Sequence, residues 1–284
     1  LFGDFSLKSL VQPHFVVQGS NVDNPVNGMD GIHQQSVDVL IETVRKDVEH
    51  GITAIMLFGV VEQSDKDEHA TKASDTTSHL HEAIKQIRSE FGDTIVIMTD
   101  VCLCTATNHG HCGLVEHDHI VNDASVDRLC EIAVSHAQAG ADYVCASDMM
   151  DGRVSAIRHA LETANHTSTG VLSYSVKYAS SFYGPFRHAA DSSPEFGDRS
   201  THQMNINSGY DEAVLEAQLD ESEGADIIMV KPGLPYLDEL RKVADCVHRP
   251  VAVYNVSGEY AMVMNSAKDL DARKGLVCEI MTSF

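Results

Sequence analysis

Asp226-Ile227-Ile228-Met229-Val230-Lys231-Pro232-Gly233 is the stretch whose reading decides the fold. An apolar run goes straight into a lysine, and Pro-Gly then breaks the chain. Such a run, bounded by turn residues, reads as a strand buried on both faces, as in a parallel sheet covered by helices. Lys231 then stands at the carboxyl end of a core strand. A poorly hydrated ammonium loses its proton more readily, and a neutral amine is a nucleophile for carbonyl carbon. Taken alone, a lysine there is equally able to reach past the strand end into water.

Val171-Leu172-Ser173-Tyr174-Ser175-Val176-Lys177 repeats the pattern, and the chain holds only ten lysines. If both strands belong to one parallel barrel, Lys177 and Lys231 face the same mouth. Two ammonium groups at close range each depress the other's pKa, which suits a ketone substrate, or two of them.

Working outward, short apolar runs alternate with longer amphipathic ones, the βαβα pattern of an α/β protein. Strands are expected near 14–17, 54–58, 94–100, 143–147, 171–175, 226–231 and 251–256. Helices are expected over 37–50, 77–91, 125–139, 153–164, 211–223 and 236–247. Val37, Leu40, Ile41, Val44 and Val48 form an apolar stripe at helical period. Gly51, Gly92, Gly140 and Gly224 fall just past four of these helices, where a left-handed residue closes the last turn. The architecture expected is a TIM-type (β/α)8 barrel lacking its eighth strand and last helix. Residues 1–11 read as the remnant of an N-terminal arm and 12–284 as a C-terminally truncated catalytic barrel. An unclosed barrel exposes two strand edges, so either the sequence continues or something unusual covers an edge.

Cys102, Cys104 and Cys112 form a Cys-x-Cys-x7-Cys cluster just past a strand end. Three thiolates suit zinc and leave one coordination position open; the alternative is three buried apolar cysteines. Cys102 and Cys104 flank one residue and would share a direction in an extended segment. Residues 183–199 make a long polar loop at the carboxyl face, a candidate lid. Its Arg187 and Arg199 are placed to clamp a carboxylate, or are surface arginines. Tyr254 and Ser257 flank the seventh strand end, with Asp100 and Ser147 at the third and fourth. A serine there is more often a turn former than a ligand.

Five stretches carry a resemblance. They are Asp100-Val101-Cys102-Leu103-Cys104 with His109-Gly110-His111-Cys112-Gly113, residues 147–153, residues 173–187, Met229-Val230-Lys231-Pro232-Gly233, and residues 256–262. In this order they resemble the porphobilinogen synthase (5-aminolevulinate dehydratase) family, from about residue 12 to the last residue. The resemblance implies condensation of two 5-aminolevulinate molecules to porphobilinogen with loss of two waters. It implies a Schiff base on Lys231, and a second-substrate role for Lys177. It puts zinc on Cys102, Cys104 and Cys112, and the second substrate's carboxylate on Arg187, Arg199 and Gln203. It places Ser257 at the first carboxylate and Asp100 near the reacting groups, with Tyr183, Tyr254 and Ser147 around the substrates. Glu216 matches a glutamate that holds magnesium in some members. A second zinc, seen in some members on the histidine at 111 and a cysteine at 201, is not expected, because position 201 is threonine. Thr105 and Ala106 also depart from the family's proline and tyrosine. The family forms octamers, so a homo-oligomer is expected. A one-lysine class I aldolase-like barrel and a non-catalytic ligand-binding homologue are the alternatives.

Composition narrows the rest. The 284 residues include 42 acidic and 20 basic side chains, a formal net charge of −22. Such a surface repels phosphate backbones and anionic membranes, and it suits solubility or high salt. Seven cysteines, four of them scattered singly, make no disulfide framework and fit a reducing cytoplasm. No apolar run approaches the ~18 residues of a membrane span.

Overall fold

The computed structural model describes residues 6–192, 199–267 and 269–284. Its strands are β1 (Gln12–Val16), β2 (Asp23–Pro25), β3 (His33–Gln35), β4 (Ala54–Gly59), β5 (Val96–Val101), β6 (Leu114–Glu116), β7 (His119–Val121), β8 (Tyr143–Ala146), β9 (Gly170–Lys177), β10 (Ile227–Lys231) and β11 (Val251–Val253). Its helices are α1 (Val37–Glu49), α2 (His79–Phe91), α3 (Asn122–Ala139), α4 (Arg153–Thr163), α5 (Gly184–Ala189), α6 (Tyr210–Glu223), α7 (Leu237–Cys246), α8 (Ser257–Ser266) and α9 (Leu270–Ser283).

One sheet runs in the order β11-β10-β9-β8-β5-β4-β1-β3-β2. The seven strands from β1 to β11 in that row are parallel. They are the seven strands expected from the apolar runs, in TIM-barrel-like sequence. Among the described residues no pairing joins β11 back to β1. The outer edge of β1 is covered, and by an unforeseen device. The short β3 pairs parallel with it, Phe15 opposite Gln34, and β2 pairs antiparallel with β3. Tyr260 of α8 donates its hydroxyl to the Asp30 carbonyl at 2.5 Å, which ties the far end of the row to the β2–β3 turn.

Strand alternation builds two cores, because successive side chains point to opposite faces. Phe15, Met56, Phe58, Met98, Cys145, Leu172, Tyr174 and Met229 pack together on the concave face. The intervening residues, such as Ile55, Leu57 and Ile97, pack outward against α1 and α2. Val144, Val171, Ile228 and Val230 do the same toward α3, α4 and α6. Gly140 and Gly224 close α3 and α6 at φ 115° and 106°, backbone that a side chain rarely adopts.

Three local expectations change. β11 stops at Val253, so Tyr254 lies beyond the strand, and α8 begins almost at once. The polar loop after β9 holds a helix, α5; its residues 193–198 lie outside the described residues, as do residues 1–5 of the expected arm. Cys102–Thr107 is a tight turn and not an extended segment, with the Ala106 and Thr107 amides both donating to the Leu103 carbonyl.

Candidate active site: a lysine pair beside a thiol cluster

Lys231 and Lys177 sit opposite each other in the β10–β9 register. That pairing depends on a bulge. Ile228 faces Ser173 and Val230 faces Val176, so three steps on β9 match two on β10. Leu172 and Tyr174 point into the barrel, whereas Val176 points outward. The extra residue reverses the alternation, and Lys177 returns to the interior beside Lys231. Bulges re-aim side chains in this way.

Both lysines are buried, 6% and 5% exposed. Lys177 Nζ donates to the Ser147 carbonyl at the end of β8. Lys231 Nζ stands among aromatic rings, 3.9 Å from the Tyr254 centroid, 4.9 Å from Phe186, 5.0 Å from Tyr174 and 5.4 Å from Tyr183. Burial, then the positive charge of Lys177, pulls the Lys231 ammonium down to about 7. The aromatic faces and Asp100 favour the cation but do not overcome the lost hydration. Asp100 is pushed up to about 6 by burial and by Cys104, while the Ser147 hydroxyl and the two lysines hold it back. A carboxyl and an amine thus titrate near neutrality in one pocket, the condition for moving protons during catalysis.

Cys102, Cys104 and Cys112 are buried and pack as a cluster of their own. Their sulfur atoms all lie within 4.8 Å of one another, and those of Cys102 and Cys104 are 3.3 Å apart. Among the described residues this is the one group of three close metal-donor side chains. Hydrogen bonds from Cys102 and Cys104 hold the Cys112 thiol well below its ordinary range, with help from Arg199 and Lys177. Buried soft donors converging on one point fit a bound metal ion.

Arg199 is 6% exposed and donates to the Gly110 carbonyl at 3.0 Å and to the Ser192 carbonyl. The fields of Arg187 and Arg199 both reach the Tyr183 hydroxyl. That hydroxyl donates to the Tyr178 carbonyl at 2.7 Å and is 3.2 Å from the Lys231 carbonyl. Ser257 Oγ accepts the Phe186 amide at 2.9 Å and donates to the Phe182 carbonyl at 3.2 Å, which pins α5 onto α8. Gln203 is 4% exposed, and neither atom of its amide has a hydrogen-bond partner. Gln203 and the half-buried Glu216 line a separate cavity of about 700 Å³. The charges of Lys177, Asp100, Cys104 and Arg199 reach Lys231, and Tyr183 and Tyr254 stand against it, whereas Gln203 and Glu216 line the separate cavity.

The sequence reading passed over some partners. Tyr174 and Phe186 stand inside the recognised motifs but were not singled out as walls around Lys231. Glu259 accepts the amides of Gly233 at 3.4 Å, Leu234 at 2.5 Å and Val256 at 2.6 Å, fixing the turn that follows Lys231. Its spacing from Val256 was the available signal. The buried Arg153, 3.3 Å from Asp220 and 3.7 Å from Asp148, supports the outside of β8 and β9, and nothing in its spacing announces that pairing.

A buried, neutral-leaning amine at the carboxyl mouth of a parallel α/β barrel is the equipment of enzymes that form imines with carbonyl substrates. The thiol cluster beside it could hold a metal ion next to that amine. Comparison with known proteins agrees. The family model for delta-aminolevulinic acid dehydratase matches residues 3–284. The delta-aminolevulinic acid dehydratase of Methanothermus sociabilis is 48% identical over 91% of this chain and 79% of its own. That of Archaeoglobus fulgidus is 43% identical over 98% of this chain and 85% of its own. The crystal structure of the Toxoplasma gondii enzyme in complex with its reaction product porphobilinogen superposes with a TM-score of 0.95 at 43% identity, covering 99% of this chain and 80% of that one. The chain belongs to the delta-aminolevulinic acid dehydratase family.

Proposed function

We propose that this protein is a porphobilinogen synthase: it condenses two molecules of 5-aminolevulinate to porphobilinogen and releases two waters. The observation that carries the reading is the burial of Lys231 and Lys177 as directly opposed partners on adjacent strands, with the Lys231 pKa lowered to about 7. The neutral Lys231 amine adds to the ketone of one substrate, and loss of water leaves an imine at Nζ. When that imine carries a proton, the ring faces of Tyr254, Phe186, Tyr174 and Tyr183 receive its positive charge. Asp100, poised near pH 6, takes up and returns protons beside it. Lys177, held by the Ser147 carbonyl, meets the second substrate. Arg187, Arg199 and Gln203 take that substrate's carboxylate, and the Ser257 hydroxyl takes the first one's.

Cys102, Cys104 and Cys112 would hold zinc, which supplies a Lewis acid for the second substrate's amine or carbonyl when bound. Glu216 lines the neighbouring cavity and is the candidate side chain for magnesium. No helix among the described residues is long and apolar enough to cross a membrane.

Sodium borohydride added with 5-aminolevulinate tests the assignment. Reduction should leave one substrate-derived adduct on the peptide containing Lys231, and the Lys231→Met variant should lose both the adduct and porphobilinogen formation by at least about 10³-fold. Label found only on other lysines would falsify the role given to Lys231.

A further inference from the structure

Lys231 keeps its neutral amine only while water is held away from it, and one wall that does so is Phe186 on α5. α5 has six residues. A helix that short is held by what it packs on and not by its own turns. Ser257 pins its start. Two segments far away in the chain hold its other end, and the condensation chemistry gives neither of them a role.

The first is the β2–β3 hairpin. Val26 and Met29, in its turn, belong to the same apolar cluster as Ala189 and Ala190. Gly28 passes beside Pro185. Gln34 on β3 donates its side-chain amide to the Ala189 carbonyl at 2.7 Å, one of the carbonyls that a helix end leaves unpaired. Phe186 itself rests on β1 and β4, its ring 5.5 Å from Phe15 and 5.2 Å from Phe58.

The second is Lys66, in the segment after β4. Its side chain is 4% exposed, and Nζ donates to the Asp191 carbonyl at 2.6 Å and to the Asp191 carboxylate at 2.8 Å. Asp191 takes a left-handed backbone, φ 46°, which a residue with a side chain rarely adopts. The mooring is fixed on the other side. Asp67, the next residue, donates its amide to the Ala106 carbonyl at 3.3 Å and accepts the Asn108 amide at 3.0 Å, within the turn that carries the thiol cluster.

We propose that Lys66 is a positioning residue, which latches the far end of α5 over the lysine pocket on a seat made by the β2–β3 hairpin. This role deepens the proposed function and rests on Lys231 being its reactive amine. The latch keeps Phe186 against Lys231, and it keeps Arg187 of the same helix in place for a carboxylate. A protein whose closed form is only partly populated binds substrate more weakly by that fraction, whereas the closed complex reacts as before. Loss of the latch therefore falls on KM and not on kcat.

The test is reductive methylation of the intact protein without substrate, using formaldehyde and dimethylamine-borane, with the rate at Lys231 read by peptide mass spectrometry. In Lys66→Met that rate should rise about two- to fivefold, what an ion pair with one exposed partner supplies. KM for 5-aminolevulinate should rise by a similar factor, with kcat unchanged. Lys66→Arg should restore both. Asp191→Asn should give part of the rise, and the double variant no more than Lys66→Met alone, because the two side chains act through one contact. If Lys66→Met does not fold, Asp191→Asn, which changes an exposed carboxylate, decides the matter. A wild-type methylation rate with unchanged KM overturns the proposal, and so do additive effects in the double variant. A parallel loss of hydrogen-exchange protection in β5 and β8 would mean general loosening and overturn it as well. A wild-type protein that makes no porphobilinogen would remove the functional reading, while the methylation rate still decides the latch.

Discussion

At the scale of single residues, the chemistry turns on one desolvated amine. The Lys231 ammonium falls from an ordinary 10.5 to about 7 because burial removes its hydration and Lys177 repels it. The sign follows directly. Below pH 7 the amine is protonated and cannot attack; above it the nucleophile is present. The acid limb of kcat/KM should therefore rise through about pH 7. Removing the neighbouring charge should weaken the depression. In Lys177→Met, the pH dependence of borohydride trapping on Lys231 should move to higher pH, and a limb that stays near pH 7 would show that Lys177 contributes nothing to it. Sequence placed both lysines at strand ends. It could not supply the four rings around Lys231, which come from β9, from the segment before α5, from α5 itself and from the residue after β11. Tyr254 is distant in the chain from the other three, and no local pattern announces that the four meet.

At the scale of elements, the site is held by turns that tolerate little change. A side chain at Gly258 would place its Cβ 2.7 Å from the Phe182 carbonyl oxygen and 2.9 Å from the Phe182 Cα. Both are backbone atoms and cannot rotate away. Gly258→Ala should therefore push α8 from the segment leading into α5, lowering stability by about 1–3 kcal/mol in urea unfolding and raising KM through the displaced Phe182–Arg187 stretch. Wild-type stability and KM in that variant would show that the close approach is relaxed in solution. The Cys102–Cys112 turn is the second such element. It converges because the Ala106 and Thr107 amides fold back on Leu103, so the sulfurs meet even though the segment is not extended. Chelation should remove about one zinc per chain and abolish turnover, zinc should restore it, and Cys104→Ser should retain markedly less metal by elemental analysis. Full activity in a metal-free preparation would contradict this.

At the scale of the whole molecule, 42 acidic side chains oppose 20 basic ones. Self-repulsion among surface carboxylates destabilises the folded state at low ionic strength, and salt screens it. Raising potassium chloride from 0.1 to 1 M should lift Tm by about 2–8 °C. A flat or falling Tm would mean that the acids are spaced too widely to repel. The seven parallel strands in chain order were readable because each is a near-continuous apolar run between punctuating residues. β2 and β3 were not: they are three residues each, polar, and exist only because the edge of β1 is there to pair with. α8 was hidden for a related reason, since its start follows β11 after only three residues and its apolar periodicity is weak.

The order of strands, the lysines at their ends and the three soft donors in one turn were determined by the amino-acid sequence itself, because each is a local matter of apolar runs, breakers and spacing. Whether the two amines face each other was decided only in three dimensions. The alternation on β9 would aim Lys177 outward at the helices. A single extra residue, accommodated between Ser173 and Val176 against β10, turns it inward. Register is a property of two strands pairing, and no reading of one strand alone contains it.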